Sequence, residues 1–341
     1  EKMKILSVIG TRPQYVKIKP IFDYCNENKI NHIIVDTNQH YSENVSDYFI
    51  DEFSLRIDHN LKTSNSGEVF FITQTMEKLT EILEDENPDF VLIYGDTNST
   101  LSSSLVCYKQ KIPFAHIEAG LRCNDIKVPE ELNRIVADLT SQIQFTPKET
   151  GDFFTFSNEV VCGDLEYELL NRYYDKDITF TGPPVMTIHR KENQNVESFS
   201  KILSFCESYN KPIDFYLHHS TESFIKRNNI TLPNNIKIKP PAKYSEMVDA
   251  LSSCKFIITD SGGLMKTCPF FSKKCIVMRD NIEWGEVESS DYGVRYKNLI
   301  NPIDWVTNTK SKRMKDFYMK NGRPSEIIID NIKKILNVTK K

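Results

Sequence analysis

Glycine is scarce in this chain, 12 of 341 residues, about half the usual share of roughly 7%. No Gly-x-Gly-x-x-Gly occurs anywhere, which argues against an NAD-dependent dehydrogenase. The eight cysteines include no Cys-x-x-Cys pair and no Cys/His group at zinc spacing, so no metal site is expected. A chain this long does not need disulfide staples, and scattered thiols point to buried, reduced cysteines in a cytoplasmic protein. No run approaches the roughly 18 apolar residues that span a membrane, and no basic-then-apolar leader opens the sequence. Lys+Arg number 43 against 47 Asp+Glu, a net charge of −4. That balance does not suit a protein that neutralises many phosphates, so no nucleic acid or membrane partner is expected.

What is present suits globular packing. Hydrophobic residues make up 39%, with 20 Phe and 15 Tyr, enough to exclude a disordered chain, and the length suggests two domains. Apolar, β-rich runs begin at KILSVIG (4–10) and NHIIVDT (31–37) and continue at PDFVLIYGD (88–96) and IPFAHIEAG (112–120). Further runs lie near 143 and 160, then at PVMTIH (184–189), PIDFYLHH (212–219), KFIITDSGG (255–263) and KCIVMRD (274–280). Segments of helical spacing separate them, one of them over about 68–83. This alternation predicts an α/β protein with parallel, doubly wound sheets, and about twelve strands are too many for one sheet. The polar stretch from Asn171 to Pro184 ends in Gly-Pro-Pro and is the expected linker. It separates domains at 1–172 and 182–323, with a last helix in 324–341.

In open parallel sheets ligands bind at the carboxyl ends of the strands. Those ends carry Gly10-Thr11-Arg12, Asp96-Thr97, Glu118-Ala119-Gly120, His189-Arg190 and Asp260-Ser261-Gly262-Gly263. Ser261-Gly262-Gly263 before a helix offers backbone N–H groups to a phosphate, or is an ordinary strand-to-helix turn. Arg12 can grip an anion. Asp96, Glu118 and Glu130 are three carboxylates on successive loops, a pattern that serves proton transfer. Arg122 and Arg134 in the same segment can stabilise a departing phosphate. Pro129-Glu130-Glu131 equally suits a helix N-terminus, an account that leaves Glu118 unexplained. His189, at a strand tip beside Arg190, Lys191 and Glu192, is a structural hydrogen-bonding group or a substrate contact.

In order along the chain, GTRPQYVKIKPI (10–21), NQHYSENVSDYF (38–49), GDTNST (95–100), HIEAGLR (116–122), PEELNR (129–134), GDLEYELL (163–170), HRKEN (189–193), TDSGG (259–263) and MRDNIEW (278–284) resemble the non-hydrolysing UDP-N-acetylglucosamine 2-epimerase family. The short spacing from Arg122 to Pro129, with the GDTNST and EW signatures, is closer to a subgroup acting on modified UDP-acetamido sugars. The resemblance implies two Rossmann-like domains in a glycosyltransferase-B-like arrangement, with the last helix crossing back to the first domain. It implies inversion at C2 of a UDP-2-acetamido sugar through a glycal, without cofactor or metal, in a homodimer. Acid/base positions then fall on Asp96, Glu118, Glu130 and His189, with Arg134 beside them. Arg12, Lys17, Arg122, His218, Ser261, Gly262, Gly263, Thr267, Arg279 and Glu283 fall on substrate-binding positions. Gln39 and His40 match a segment that binds a regulatory UDP-sugar in some members.

Four positions depart from the family pattern. Thr267 replaces a glutamate that grips the ribose, Ile282 a threonine, Asn38 a glycine, and Gln14 a glutamate. A hydrolysing epimerase releasing UDP and free N-acetylmannosamine, or a degenerate UDP-sugar-binding protein, are the alternatives. Pro13 after Gly-Thr-Arg resembles the non-hydrolysing group.

Overall fold

The computed structural model describes residues 3–39, 43–64, 66–150, 158–308 and 311–339. The chain forms two compact units, one running to Tyr173 and resuming at Tyr318, the other from Tyr174 to Phe317.

The first unit holds strands β1 (Lys4–Ile9), β2 (Asn31–Asp36), β3 (His59–Asn60), β4 (Phe90–Tyr94), β5 (Phe114–Ile117), β6 (Ile143–Thr146) and β7 (Asn158–Val161). Its helices are α1 (Arg12–Glu27), α2 (Glu43–Glu52), α3 (Glu68–Glu86), α4 (Asn98–Gln110), α5 (Pro129–Thr140) and α6 (Leu165–Tyr173). The second unit holds β8 (Val185–Thr187), β9 (Ile213–Tyr216), β10 (Ile236–Lys239), β11 (Ile257–Thr259), β12 (Cys275–Val277) and β13 (Gly293–Arg295). Its helices are α7 (Val196–Tyr209), α8 (His219–Arg227), α9 (Tyr244–Ser253), α10 (Gly262–Phe271), α11 (Gly285–Ser289) and α12 (Pro302–Asn308). The last helix, α13 (Pro324–Thr339), belongs to the first unit.

Both sheets are parallel throughout. Strand order is β3-β2-β1-β4-β5-β6-β7 in the first and β10-β9-β8-β11-β12-β13 in the second. Each order reverses once, between β1 and β4 and between β8 and β11, and such switch points leave a crevice at the carboxyl ends. The central strands are buried on both faces, as expected of continuous apolar runs: Phe90 to Tyr94 has no exposed residue. Leu6, Val8, Val35, Leu79 and Phe114 pack in one core, and Met186, Phe199, Phe215, Phe256 and Ile276 in the other. The cysteines are all free, and only Cys123 is partly exposed.

The chain passes from the first unit to the second between Tyr173 and Tyr174, inside the segment expected as a linker. Asn171–Tyr173 completes α6, while the Thr179 and Gly182 N–H groups donate to the Ser252 and Ser253 carbonyls at 2.9 Å. The chain returns to the first unit through Glu168 of α6, which accepts from Arg323 Nε (2.6 Å), Ser325 N (2.8 Å) and Ser325 Oγ (2.6 Å). Ile328, Ile329 and Ile332 of α13 are then fully buried.

Candidate active site

In the first unit, Gly10 follows the last residue of β1. A Cβ there would sit 1.9 Å from Thr37 Oγ1, so only glycine fits. Thr11 caps α1, whose first turn contains Pro13. Gln14 Oε1 accepts from the Gly10 and Thr11 N–H groups (2.8 and 3.1 Å), and Nε2 donates to the Tyr94 carbonyl (2.7 Å). An amide serves both sides of the switch point; a glutamate could only accept. Asn38, at φ +56, is the residue type that tolerates a left-handed position best after glycine. Arg12, at the first position of α1, makes no hydrogen bond or ion pair with any described residue, and partial burial lowers its guanidinium pKa. A half-buried cation at a helix N-terminus is suited to an anion.

The carboxylates stand nearby. Lys17 Nζ lies 2.6 Å from Glu118 Oε1, both groups nearly buried. Glu118 has φ +64, a conformation that costs a non-glycine residue about 1–3 kcal/mol and that clusters at functional sites. Asp96 accepts from Arg134 Nη2 at 2.6 Å and Nε at 3.1 Å, and Thr97 caps α4. Arg134 Nη1 also reaches Glu131, at 3.0 Å.

The two neighbouring glutamates divide the roles proposed for them. Glu131 is buried and accepts the Cys123 and Asn124 N–H groups at 3.0 Å, so it holds the loop. Glu130, one residue earlier, bonds to no described residue. Arg122 pairs with Asp138 at 2.6 Å and donates to the Leu121 carbonyl at 2.7 Å, so its charge is already engaged. Gln39 Oε1 accepts from Ser99 N (3.0 Å) and Oγ (2.7 Å); His40 lies outside the described residues.

In the second unit, Asp260 is fully buried. It accepts the N–H groups of His189 (3.1 Å) and Arg190 (2.9 Å) and the Asn193 side chain (2.9 Å), and lies 3.1 Å from His189 Nδ1. Burial pushes its pKa up, but those donors outweigh burial and the net shift is downward. Asp260 thus engages Nδ1 of a half-exposed His189 ring, whose centroid is 6.0 Å from that of His218. His218 itself caps α8 through Ser220.

Ser261 caps α10, with Gly262 and Gly263 in its first turn. A Cβ on Gly262 would come within 3.1 Å of Arg279 Nη2, so the turn and the Arg279–Glu283 ion pair are packed together. Both partners are almost fully buried, and a cavity of about 480 Å³ opens beside Arg279, lined also by Glu192, Asn193, Asp280 and Lys297. The Thr267 hydroxyl donates to the Leu264 carbonyl at 3.0 Å and is turned along its own helix. It is not turned outward, as the expected ribose contact would require.

Gln14, Glu131 and the buried His116–Asp138 pair hold these groups in place. The sequence marks Gln14 only as a departure and Glu131 only as a helix-start acid, and it assigns no role to His116 or Asp138. His116 stood inside the HIEAGLR motif, where its inward register on an apolar strand was the available signal.

Two doubly wound sheets, each carrying an anion-suited helix N-terminus at its switch point, define a nucleotide-binding class of α/β protein. The chain belongs to the UDP-N-acetylglucosamine 2-epimerase family, whose sequence profile matches residues 23–333. It is 35% identical over 308 residues to a UDP-N-acetylglucosamine 2-epimerase homolog of Methanococcus maripaludis, covering 83% of this chain and 86% of that protein. It is 32% identical to the UDP-2,3-diacetamido-2,3-dideoxy-D-glucuronate 2-epimerase of Pseudomonas aeruginosa, covering 84% of this chain and 86% of that one. Among solved structures, the Methanocaldococcus jannaschii UDP-GlcNAc 2-epimerase in complex with UDP-GlcNAc and UDP superposes with a TM-score of 0.86 at 28% identity. The match covers 97% of this chain and 100% of that one. Among the described residues no helix is long and apolar enough to cross a membrane.

Proposed function

We propose that this chain inverts C2 of a UDP-2-acetamido sugar by eliminating and re-adding UDP. The observation that carries the reading is the grouping, beside one switch point, of Glu118 ion-paired with Lys17, Asp96 ion-paired with Arg134, and Glu130 with no bonded partner among the described residues. A carboxylate takes the C2 proton while the C1–O bond to UDP breaks and its electron pair leaves with the diphosphate. UDP then adds back to the glycal as a second acid delivers a proton to the other face of C2. Two acid/base groups with distinct surroundings suit those two proton transfers, and cations suit the leaving diphosphate. In this reading Arg12 and the Ser261–Gly263 turn bind phosphate, and His189, oriented by Asp260, is the remaining acid/base group. The 32% identity to an enzyme whose name specifies a diacetamido uronic sugar supports a modified sugar as substrate. We assign no cofactor or metal to the reaction, and place it in the cytoplasm in a homodimer.

The test is a panel of UDP-acetamido sugars incubated with the protein in D2O and followed by proton NMR. At least one should lose its C2 proton signal and yield the C2 epimer as an intact UDP-sugar. Absence of C2 exchange on every sugar would overturn the reading, and net accumulation of free UDP with free sugar would replace it with a hydrolysing epimerase.

A further inference from the structure

His116 lies in β5 with no exposed surface, between the two loops that bear Asp96 and Glu118. Its Nδ1 is 2.6 Å from Asp138 Oδ1 and its Nε2 is 2.6 Å from the Gly95 carbonyl oxygen. Neither partner has a proton to give. Gly95 presents a carbonyl, and Asp138 is a carboxylate ion-paired with Arg122 at 2.6 Å. Both ring nitrogens must therefore donate, and the hydrogen-bond pattern assigns a buried imidazolium.

The two bonds lead to two different loops. Gly95 precedes Asp96 directly and has φ +69. The other oxygen of Asp138 accepts the Gly120 N–H at 3.1 Å and Arg122 Nη2 at 2.6 Å, and Gly120 stands two residues after Glu118. Glu118 and Gly120 both have positive φ, +64 and +75. A left-handed glutamate persists only where its surroundings hold it, and the Asp138 clamp on Gly120 N and Arg122 is that hold.

We propose that His116 is a positioning residue, an imidazolium bridging the Gly95 carbonyl and Asp138 that fixes the Glu118 loop in register with the Asp96 loop. Its consequence for turnover rests on the acid/base reading of those two carboxylates. The assignment of the bridge itself does not.

His116→Asn keeps a donor near the Nδ1 position, and His116→Gln keeps one near Nε2, so each variant retains one bond and loses the other. Displacing a reacting group by a fraction of an ångström to an ångström lowers turnover without removing any substrate contact. Both variants should lose roughly 10-fold to 10²-fold in kcat for C2 exchange. KM should stay within about threefold, the pattern of a lost contribution to the transition state alone. Folded variants with wild-type kcat, or with the loss confined to KM, would overturn the proposal.

A nitrogen-15 spectrum of the wild-type histidines at pH 7 is read independently, and it decides if the variants do not fold. Both ring nitrogens of His116 should carry protons, whereas one bare nitrogen would refute the bridge. Wild-type protein that exchanges no UDP-sugar would remove the parent reading and the kinetic consequence with it, leaving the spectrum to judge the bridge.

Discussion

Beside the switch point between β1 and β4, after β4 and β5 and at the start of α5, the first sheet presents three carboxylates, two of them ion-paired with Lys17 and Arg134. Between β8 and β11 the second sheet presents one buried carboxylate, Asp260, fully occupied by N–H donors beside a glycine turn. The two sheets share a winding plan up to that point, yet the residues after the strands give them different chemistry. In the proposed function the first carries the three carboxylates that move protons, and the second carries the glycine turn that holds phosphate with His189 beside it. The fold supplies the crevice, and the few residues that follow each strand decide its use.

The widest separation between the two is expected from Glu118→Gln. Size and hydrogen bonding persist while the carboxylate is lost, so C2 exchange should fall by roughly 10² or more. UDP binding measured by calorimetry should change little. Equal loss of both would dissolve the division of labour.

Asp260→Asn probes the other switch point through stability. Turning an amide toward buried N–H donors should cost about 1–3 kcal/mol at pH 7 in urea unfolding. The Asp260 pKa is depressed in the folded state. Its contribution is therefore present above the unfolded carboxylate pKa of about 3.9 and is lost as pH falls through the lower folded value. The gap between wild type and Asp260→Asn should accordingly close in acid. A gap independent of pH would deny Asp260 its charged role.

The two strand-end glycines give the smallest contrast. Gly10→Ala places a methyl 1.9 Å from Thr37 Oγ1 and 2.9 Å from Ser99 Oγ, an overpacking expected to cost about 1–3 kcal/mol. At Gly262 the tightest contact is 3.1 Å, to Arg279 Nη2, and alanine's better helix propensity of up to about 1 kcal/mol offsets part of the crowding. Gly262→Ala should melt near wild type and weaken UDP binding. The reverse ranking would show that the second turn is as tightly packed as the first.

What was legible in the sequence follows the same line. Long apolar runs such as FVLIY announced the central strands, and strand-end charges announced Asp96, Glu118 and His189. The two-residue β3 and the strand Ile236–Lys239, in which Lys237 and Ile238 are both exposed, carry too little apolar signal to be read. The polar stretch that contains α2 showed no helical pattern for the same reason. The holding roles of Gln14, Glu131 and Asp138 stayed hidden because they lie in tertiary pairings, such as that between Gln14 and Tyr94, 80 residues apart. Local pattern does not encode such partners. Thr267 stood out as a departure, but which way its hydroxyl turns is set by the Leu264 carbonyl one turn earlier in its own helix.

The account's central claim is that UDP leaves and returns. A UDP-sugar carrying oxygen-18 in the bridge between C1 and the β-phosphorus tests this directly, because free UDP can rotate its terminal phosphate before re-addition. The label should scramble into the non-bridging oxygens of the recovered UDP-sugar at a rate comparable to C2 exchange. Exchange at C2 with the label still wholly in the bridge would contradict it.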